Sequence, residues 1–284
     1  MGRPALAAGT VEFAERWTIV DGLPVFSRIA VDAAPAGATP LIHVHGFGIS
    51  GSYLLPTARL LATDYPTYVP DLPGYGRSMK PKTTLTIPEL GHAMAAYMDA
   101  MGIEKANFIG NSMGCLIIIE FAHAYPDRID KAILVSPAGG PHNQPIYRGL
   151  PQLARDSFRE PIRMYQVAVP DYLRFGLLNC LRLFHAMVHF PTIDRLIELK
   201  KPVLIVVGVK DPLISKERMK SALDVLPNLT MVFHTGAAHA VNYSHPGELA
   251  SVARNFIEGE PIDIERAGNS IEVIGIASQV EEAV

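Results

Sequence analysis

Three side chains far apart along this sequence can combine into one reaction: Ser112, Asp211 and His239. A serine hydroxyl becomes a nucleophile only when a base takes its proton and a third group fixes that base's tautomer. Ser112 stands in Gly110-Asn111-Ser112-Met113-Gly114, between the apolar runs Ala106-Asn107-Phe108 and Cys115-Leu116-Ile117-Ile118-Ile119. Between a strand and a helix, Gly-x-Ser-x-Gly is a turn so sharp that flanking Cβ atoms would clash, and it lifts the hydroxyl clear of the sheet edge. Alone the pattern is weak, and a tight turn without chemistry is its commoner meaning. Asp211 follows an apolar run ending at Gly208, and His239 sits in a small-residue loop after the next such run. Singly, Asp211 reads equally well as a turn former before Pro212, and His239 as a surface histidine. The joint match of order, spacing and strand-end position favours a triad. His234 and His245 compete for the role of base, but one ends a strand and the other begins a helix.

The elements that must bring these residues together follow from periodicity and punctuation. Asp21-Gly22 between two apolar runs predicts a β-hairpin, and 32–39 a loop. Strands are expected at 40–45, 66–70, 106–110, 131–135, 202–208 and 230–234, and helices at 53–62, 86–101, 112–124, 215–226 and 246–258. The 86–101 helix carries its own start and stop: Thr86 as N-cap, Pro88 in the first turn, Glu89 at the capping-box position and Gly102 beyond the end. Strands alternating with helices imply an α/β fold with a mostly parallel sheet and helices on both faces. The alternation breaks over 140–195, rich in arginines and aromatics, which reads as a helical lid over the carboxyl edge of the sheet; two ordinary packing helices are the alternative. The domains expected are a core of 1–139 and 196–260, a cap of 140–195, and a tail of 261–284 that reads as a strand, a dimerisation arm or a flexible end.

Composition bounds the partners. With 284 residues, 49% hydrophobic and 19% charged, the chain has material for one large core, and its net charge of −3 without a basic stripe argues against nucleic acid or an anionic membrane. No run approaches the roughly 18 apolar residues of a membrane span. Cys115 and Cys180 have neither zinc-ligand nor disulfide spacing. These features suit a cytoplasmic protein with a small-molecule substrate, no metal and no cofactor, and with homodimerisation open.

A tetrahedral intermediate needs donors. The helix after Ser112 offers the Met113 amide at its positive end. The glycine-rich loop after strand 40–45 offers a second, Phe47, ahead of Gly48; Gly48 and Asn111 are expected to contact substrate. His43 and His45 flank one valine, a metal pair there is not expected, and His45 reads as a loop residue. Asp71 and Arg77 are expected to tie down their own loop, Cys115 to be a small buried residue, and Arg174 is the lid arginine nominated for a substrate carboxylate.

From His43 to Gly48, Asp71 to Ser78, Gly110 to Gly114, Gly208 to Pro212 and Gly236 to Asn242, the chain resembles the α/β-hydrolase superfamily, the cofactor-independent branch with a helical cap. The likeness covers about Thr18 to Glu258 and implies a Ser-Asp-His hydrolase with His45 structural. Asn111-Ser112-Met113 is similar to the meta-cleavage-product hydrolases, which break a carbon–carbon bond. Those enzymes place a Trp soon after the catalytic His, where this chain has Ala240-Val241-Asn242, so ester hydrolysis is the first expectation and carbon–carbon cleavage the second. A non-catalytic small-molecule receptor on the same fold is the third.

Overall fold

A computed structural model describes residues 11–138, 151, 155, 159–214, 229–263 and 270–275. The hairpin forms as expected: Asp21 and Gly22 take φ of +47° and +77°, the two positive values that a type I′ turn requires, and join β1 (Ala14–Val20) to β2 (Leu23–Ala30). Seven further strands follow: β3 (Leu41–Val44), β4 (Thr67–Pro70), β5 (Ala106–Asn111), β6 (Ile129–Val135), β7 (Val203–Gly208), β8 (Leu229–His234) and β9 (Ile271–Gly275). They make one sheet in the order β1-β2-β4-β3-β5-β6-β7-β8-β9, parallel from β4 to β8 and antiparallel at both ends. Strands β5, β7 and β8 are buried at every residue. That is why they read as mostly apolar runs: helical crossovers leave a parallel strand no solvent face.

Those crossovers cover both faces. On one side α2 (Ile87–Met101) and α3 (Met113–Ala124) bury Leu90, Met94, Met98, Leu116 and Phe121 against the sheet. On the other, α1 (Leu55–Leu61) and the last long helix, Pro246–Glu258, bury Leu61, Leu249 and Val252. The signals read for α2 all operate: Thr86 and Glu89 close a capping box, and Gly102 ends the helix at φ +69°. The helix expected from residue 53 instead starts at Leu55 after a 3₁₀ turn, Gly51–Leu54, because Pro56 fits only the first turn of an α-helix. From β3 the chain steps outward to β4, then crosses back over β3 to β5. The connections therefore diverge between β3 and β5, and a crevice opens there at the carboxyl ends of the strands.

After β6 come α4 (Ile162–Phe175), α5 (Leu177–Val188) and α6 (Thr192–Glu198). α6 straddles the expected cap boundary and lies on α3, where Arg195 reaches Glu120 at 3.4 Å. In the tail, 271–275 pairs with β8 as an edge strand; the rest of the tail beyond 275, most of 140–158 and the expected helix 215–226 lie outside the described residues. Among the described residues no helix is long and apolar enough to cross a membrane.

Candidate active site

Ser112 sits between β5 and α3 at φ +57°, ψ −118°, a backbone geometry costing on the order of 1–3 kcal/mol for a residue with a side chain. Neighbouring backbone holds it there. The Ser112 N–H donates to the Val135 carbonyl at 3.0 Å, and the Ser112 carbonyl accepts from Cys115 and Ala138 at 3.1 and 3.2 Å. Only glycine fits one turn later, since a Cβ on Gly114 would lie 2.2 Å from the Val44 carbonyl oxygen. The same intimacy brings the loop after β3 over the serine: a Cβ on Gly46 would lie 3.3 Å from that of Ser112.

Asp211 and His239 meet on the loops after β7 and β8. The two loops are zipped together by Val209 N–H to the His234 carbonyl and Lys210 N–H to the Ala237 carbonyl, both 2.9 Å. His239 Nδ1 lies 2.7 Å from Asp211 Oδ2 in a buried pair, and the other carboxylate oxygen accepts from the Leu213 amide at 2.7 Å. An Nδ1–H tautomer donating to this carboxylate would leave the lone pair on Nε2.

The link from this pair to the serine is Asn111. Its side-chain nitrogen donates to the His239 carbonyl at 3.0 Å and the Val135 carbonyl at 3.2 Å, and its oxygen accepts from Tyr53 Oη at 2.9 Å. The residue expected to touch substrate is thus buried and spent inside the protein, pinning the backbone of residue 239 beside the elbow. Gly48 departs from expectation for a similar reason. It takes φ +70° directly under the Tyr172 ring, whose Cε1 would be 2.5 Å from a Cβ there, so α4 occupies its open side. Arg174 lies exposed at the end of α4 rather than turned inward.

The amides read from sequence as oxyanion donors can be followed through their hydrogen bonds. Phe47 and Met113 N–H groups make no backbone hydrogen bond among the described residues, whereas the Gly46 N–H donates to Tyr53 Oη at 2.8 Å. Tyr53 therefore ties the loop after β3 to the elbow through Asn111. Burial pushes its phenol far above the ordinary range, keeping the proton it donates. Sequence reading missed it because a tyrosine near a helix start looks like packing. It also missed Glu160, which lies just before α4 and accepts the Ala240 amide, next to His239, at 2.8 Å.

The remaining titratable groups are structural. His45 accepts the Leu72 amide on Nε2 at 2.9 Å and approaches its neighbour's carbonyl with Nδ1, and burial lowers its pKa. Asp71 holds its loop through the Arg77 amide at 3.0 Å, but its ion pair is with Arg28 at 2.8 Å; the Arg77 side chain goes to Glu15. His234 accepts the Gly236 and Ala237 amides and packs on His245, which occupies both rivals for the base. Cys115 is buried and its thiol pushed up by burial, so it is no second nucleophile.

A strained serine at a strand-to-helix turn, a buried His–Asp pair on the loops after β7 and β8 and a parallel sheet beneath them define the α/β-hydrolase fold. Residues 39–175 match the family model described as alpha/beta hydrolase fold. The chain is 26% identical over 249 residues to a putative carbamate hydrolase of Pseudomonas syringae, covering 80% of this chain and 96% of that one. It is 35% identical over 124 residues, 42% of each chain, to the 2-hydroxy-6-oxo-6-phenylhexa-2,4-dienoate hydrolase of Burkholderia cepacia. The carboxylesterase CesB of Bacillus subtilis superposes with a TM-score of 0.68 at 18% identity over 88% of this chain and 93% of that one. This chain has the α/β-hydrolase fold, with similarity to the meta-cleavage-product hydrolases.

Proposed function

We propose that this chain is a serine hydrolase cleaving a small to medium, largely apolar carboxylic ester through an acyl-enzyme. The observation that carries the reading is the buried 2.7 Å contact between His239 and Asp211, on a backbone that Asn111 fastens beside Ser112. The reading adds one contact, from His239 Nε2 to Ser112 Oγ, which side-chain rotation makes when substrate arrives. The imidazole takes the hydroxyl proton as Oγ attacks the carbonyl carbon. The amides of Met113 and Phe47 receive the oxyanion at the moment charge develops. The imidazolium, stabilised by Asp211, gives its proton to the departing alkoxide, and a water repeats the sequence to release the acid. The apolar preference rests on Phe47, whose ring lies 6.2–6.4 Å from those of Tyr172, Phe175 and Phe184 of the cap.

Carbon–carbon cleavage of a dienoate is the second reading, favoured by the 35% identity to a hydrolase of that kind. Three features weigh against it: Asn111 is committed to the fold, Arg174 faces outward, and the Glu160 carboxylate beside His239 repels an anionic substrate. A fluorophosphonate probe run beside a p-nitrophenyl ester series and one vinylogous diketo acid separates the readings. We expect label on Ser112, turnover of the esters, and loss of both by several orders of magnitude in Ser112→Ala. Turnover of the diketo acid alone would establish the second reading, and an unlabelled serine with no turnover would leave a small-molecule receptor.

A further inference from the structure

The outer face of the cap carries exposed apolar side chains that the candidate active site does not explain. α4 and α5 meet at Gly176, which turns the chain at φ +92°. Just before it Leu173 is 78% exposed, and just after it Leu177 and Leu178 are 76% and 71% exposed. Ile162, Val169 and Leu173 stand at i, i+7 and i+11 of α4, one helix face, and all three are exposed. Beside this corner lies the segment 79–84. Lys80 Nζ donates to the Arg174 carbonyl, Thr84 Oγ1 donates to Asn179 Oδ1 at 2.7 Å, and Met79 is 52% exposed. Three leucines and a methionine thus crowd one projecting tip, an apolar patch of the kind that marks an interaction site.

Charge selects the occupant. Segments 79–84 and 172–190 contain Lys80, Lys82, Arg174 and Arg182 and not one Asp or Glu, in a chain whose net charge is −3. All four cations are exposed. A second copy docking by two-fold symmetry would set this basic patch against itself with no acidic partner inside it. A bilayer carrying anionic headgroups meets both halves of the surface: basic side chains reach the headgroups while the leucines enter the acyl boundary. Whole-chain charge argued against such a surface only because it averages over a molecule whose acidic residues lie elsewhere. On the inner side of the same turn, Phe175 is buried and stacks on Tyr75 at 4.6 Å, 6.4 Å from Phe47, so the tip is continuous with the cap wall over the candidate site.

We propose that the corner formed by residues 79–82 and 173–182 docks this protein on anionic lipid surfaces. The binding is independent of the hydrolase reading and is tested without it. The full chain is sedimented with vesicles of phosphatidylcholine alone and of an equal mixture with phosphatidylglycerol, at rising salt. We expect binding to the mixed vesicles that weakens with salt and little binding to phosphatidylcholine. Lys82→Gln/Arg174→Gln/Arg182→Gln should lose about five-fold per cation, roughly a hundred-fold together. Leu177→Ser/Leu178→Ser should lose at least ten-fold while keeping the wild-type thermal melt, which shows the cap still folded. No preference for the anionic vesicles, or binding untouched by either variant, overturns the proposal. So does a dimer in sedimentation equilibrium that Leu177→Ser/Leu178→Ser dissociates, since the tip would then be a self-association face.

Discussion

Tyr53→Phe removes one oxygen and tests how the loop after β3 is held to the nucleophile turn. In the folded protein that oxygen accepts the Gly46 amide at 2.8 Å and donates to Asn111 Oδ1 at 2.9 Å, with all three residues buried. The change leaves a buried donor and a buried acceptor without partners, each costing about 1–3 kcal/mol, so a loss of roughly 2–6 kcal/mol is expected. Against a total stability of about 5–15 kcal/mol that is a large fraction, readable as a lowered denaturation midpoint at constant m. Kinetically the variant keeps the Phe47 amide but loosens its position. The kcat on a p-nitrophenyl ester should fall about ten-fold or more, short of the 10²–10³ for a deleted donor, with KM little changed. Tyr75→Phe is the control, because the Tyr75 hydroxyl is buried without a hydrogen-bond partner among the described residues and the same chemical change there orphans nothing. Equal behaviour of the two variants would refute the reasoning.

Acid stability should report His43, whose pKa burial lowers from 6.5 to about 3. The unfolded chain takes up a proton that the native ring refuses, so its contribution is fully present above 6.5 and is lost as pH falls toward 3, by about 5 kcal/mol at full linkage; urea titrations across that window should show a flatter slope for His43→Leu, and an unchanged slope counts against the assignment. Arg28→Ala strands the Asp71 carboxylate, which is fully buried beneath its 2.8 Å ion pair, and should cost about 3–5 kcal/mol in chemical denaturation, far more than any exposed pair such as Arg77–Glu15. Gly114→Ala forces a methyl to within 2.2 Å of the Val44 carbonyl oxygen and should abolish fluorophosphonate labelling or prevent folding; a labelled, stable variant would mean the elbow is looser than its backbone implies.

Local chemistry made much of this molecule readable from its residues. The Asp21-Gly22 turn, the Thr86 to Gly102 helix signals and the mostly apolar strands depend on neighbours a few residues away, so period and punctuation suffice to place them. The pairing of Asp211 with His239 was legible for a related reason: in a parallel sheet, strand ends come to one edge, and residues just past them must be neighbours. Neither Asn111, turned inward to bind the His239 carbonyl, nor Tyr53, joining it to Gly46, has a local signature, because their partners lie 128 and 7 residues away and only the packed fold sets the angle of approach. The stretch from α4 to α5 is the extreme case. Its sequence announced arginines and aromatics, but which of them face inward to Phe47 and which project outward with Leu173, Leu177 and Leu178 was decided by how α4 and α5 sit on the sheet, since an amphipathic helix can present either face until something buries one.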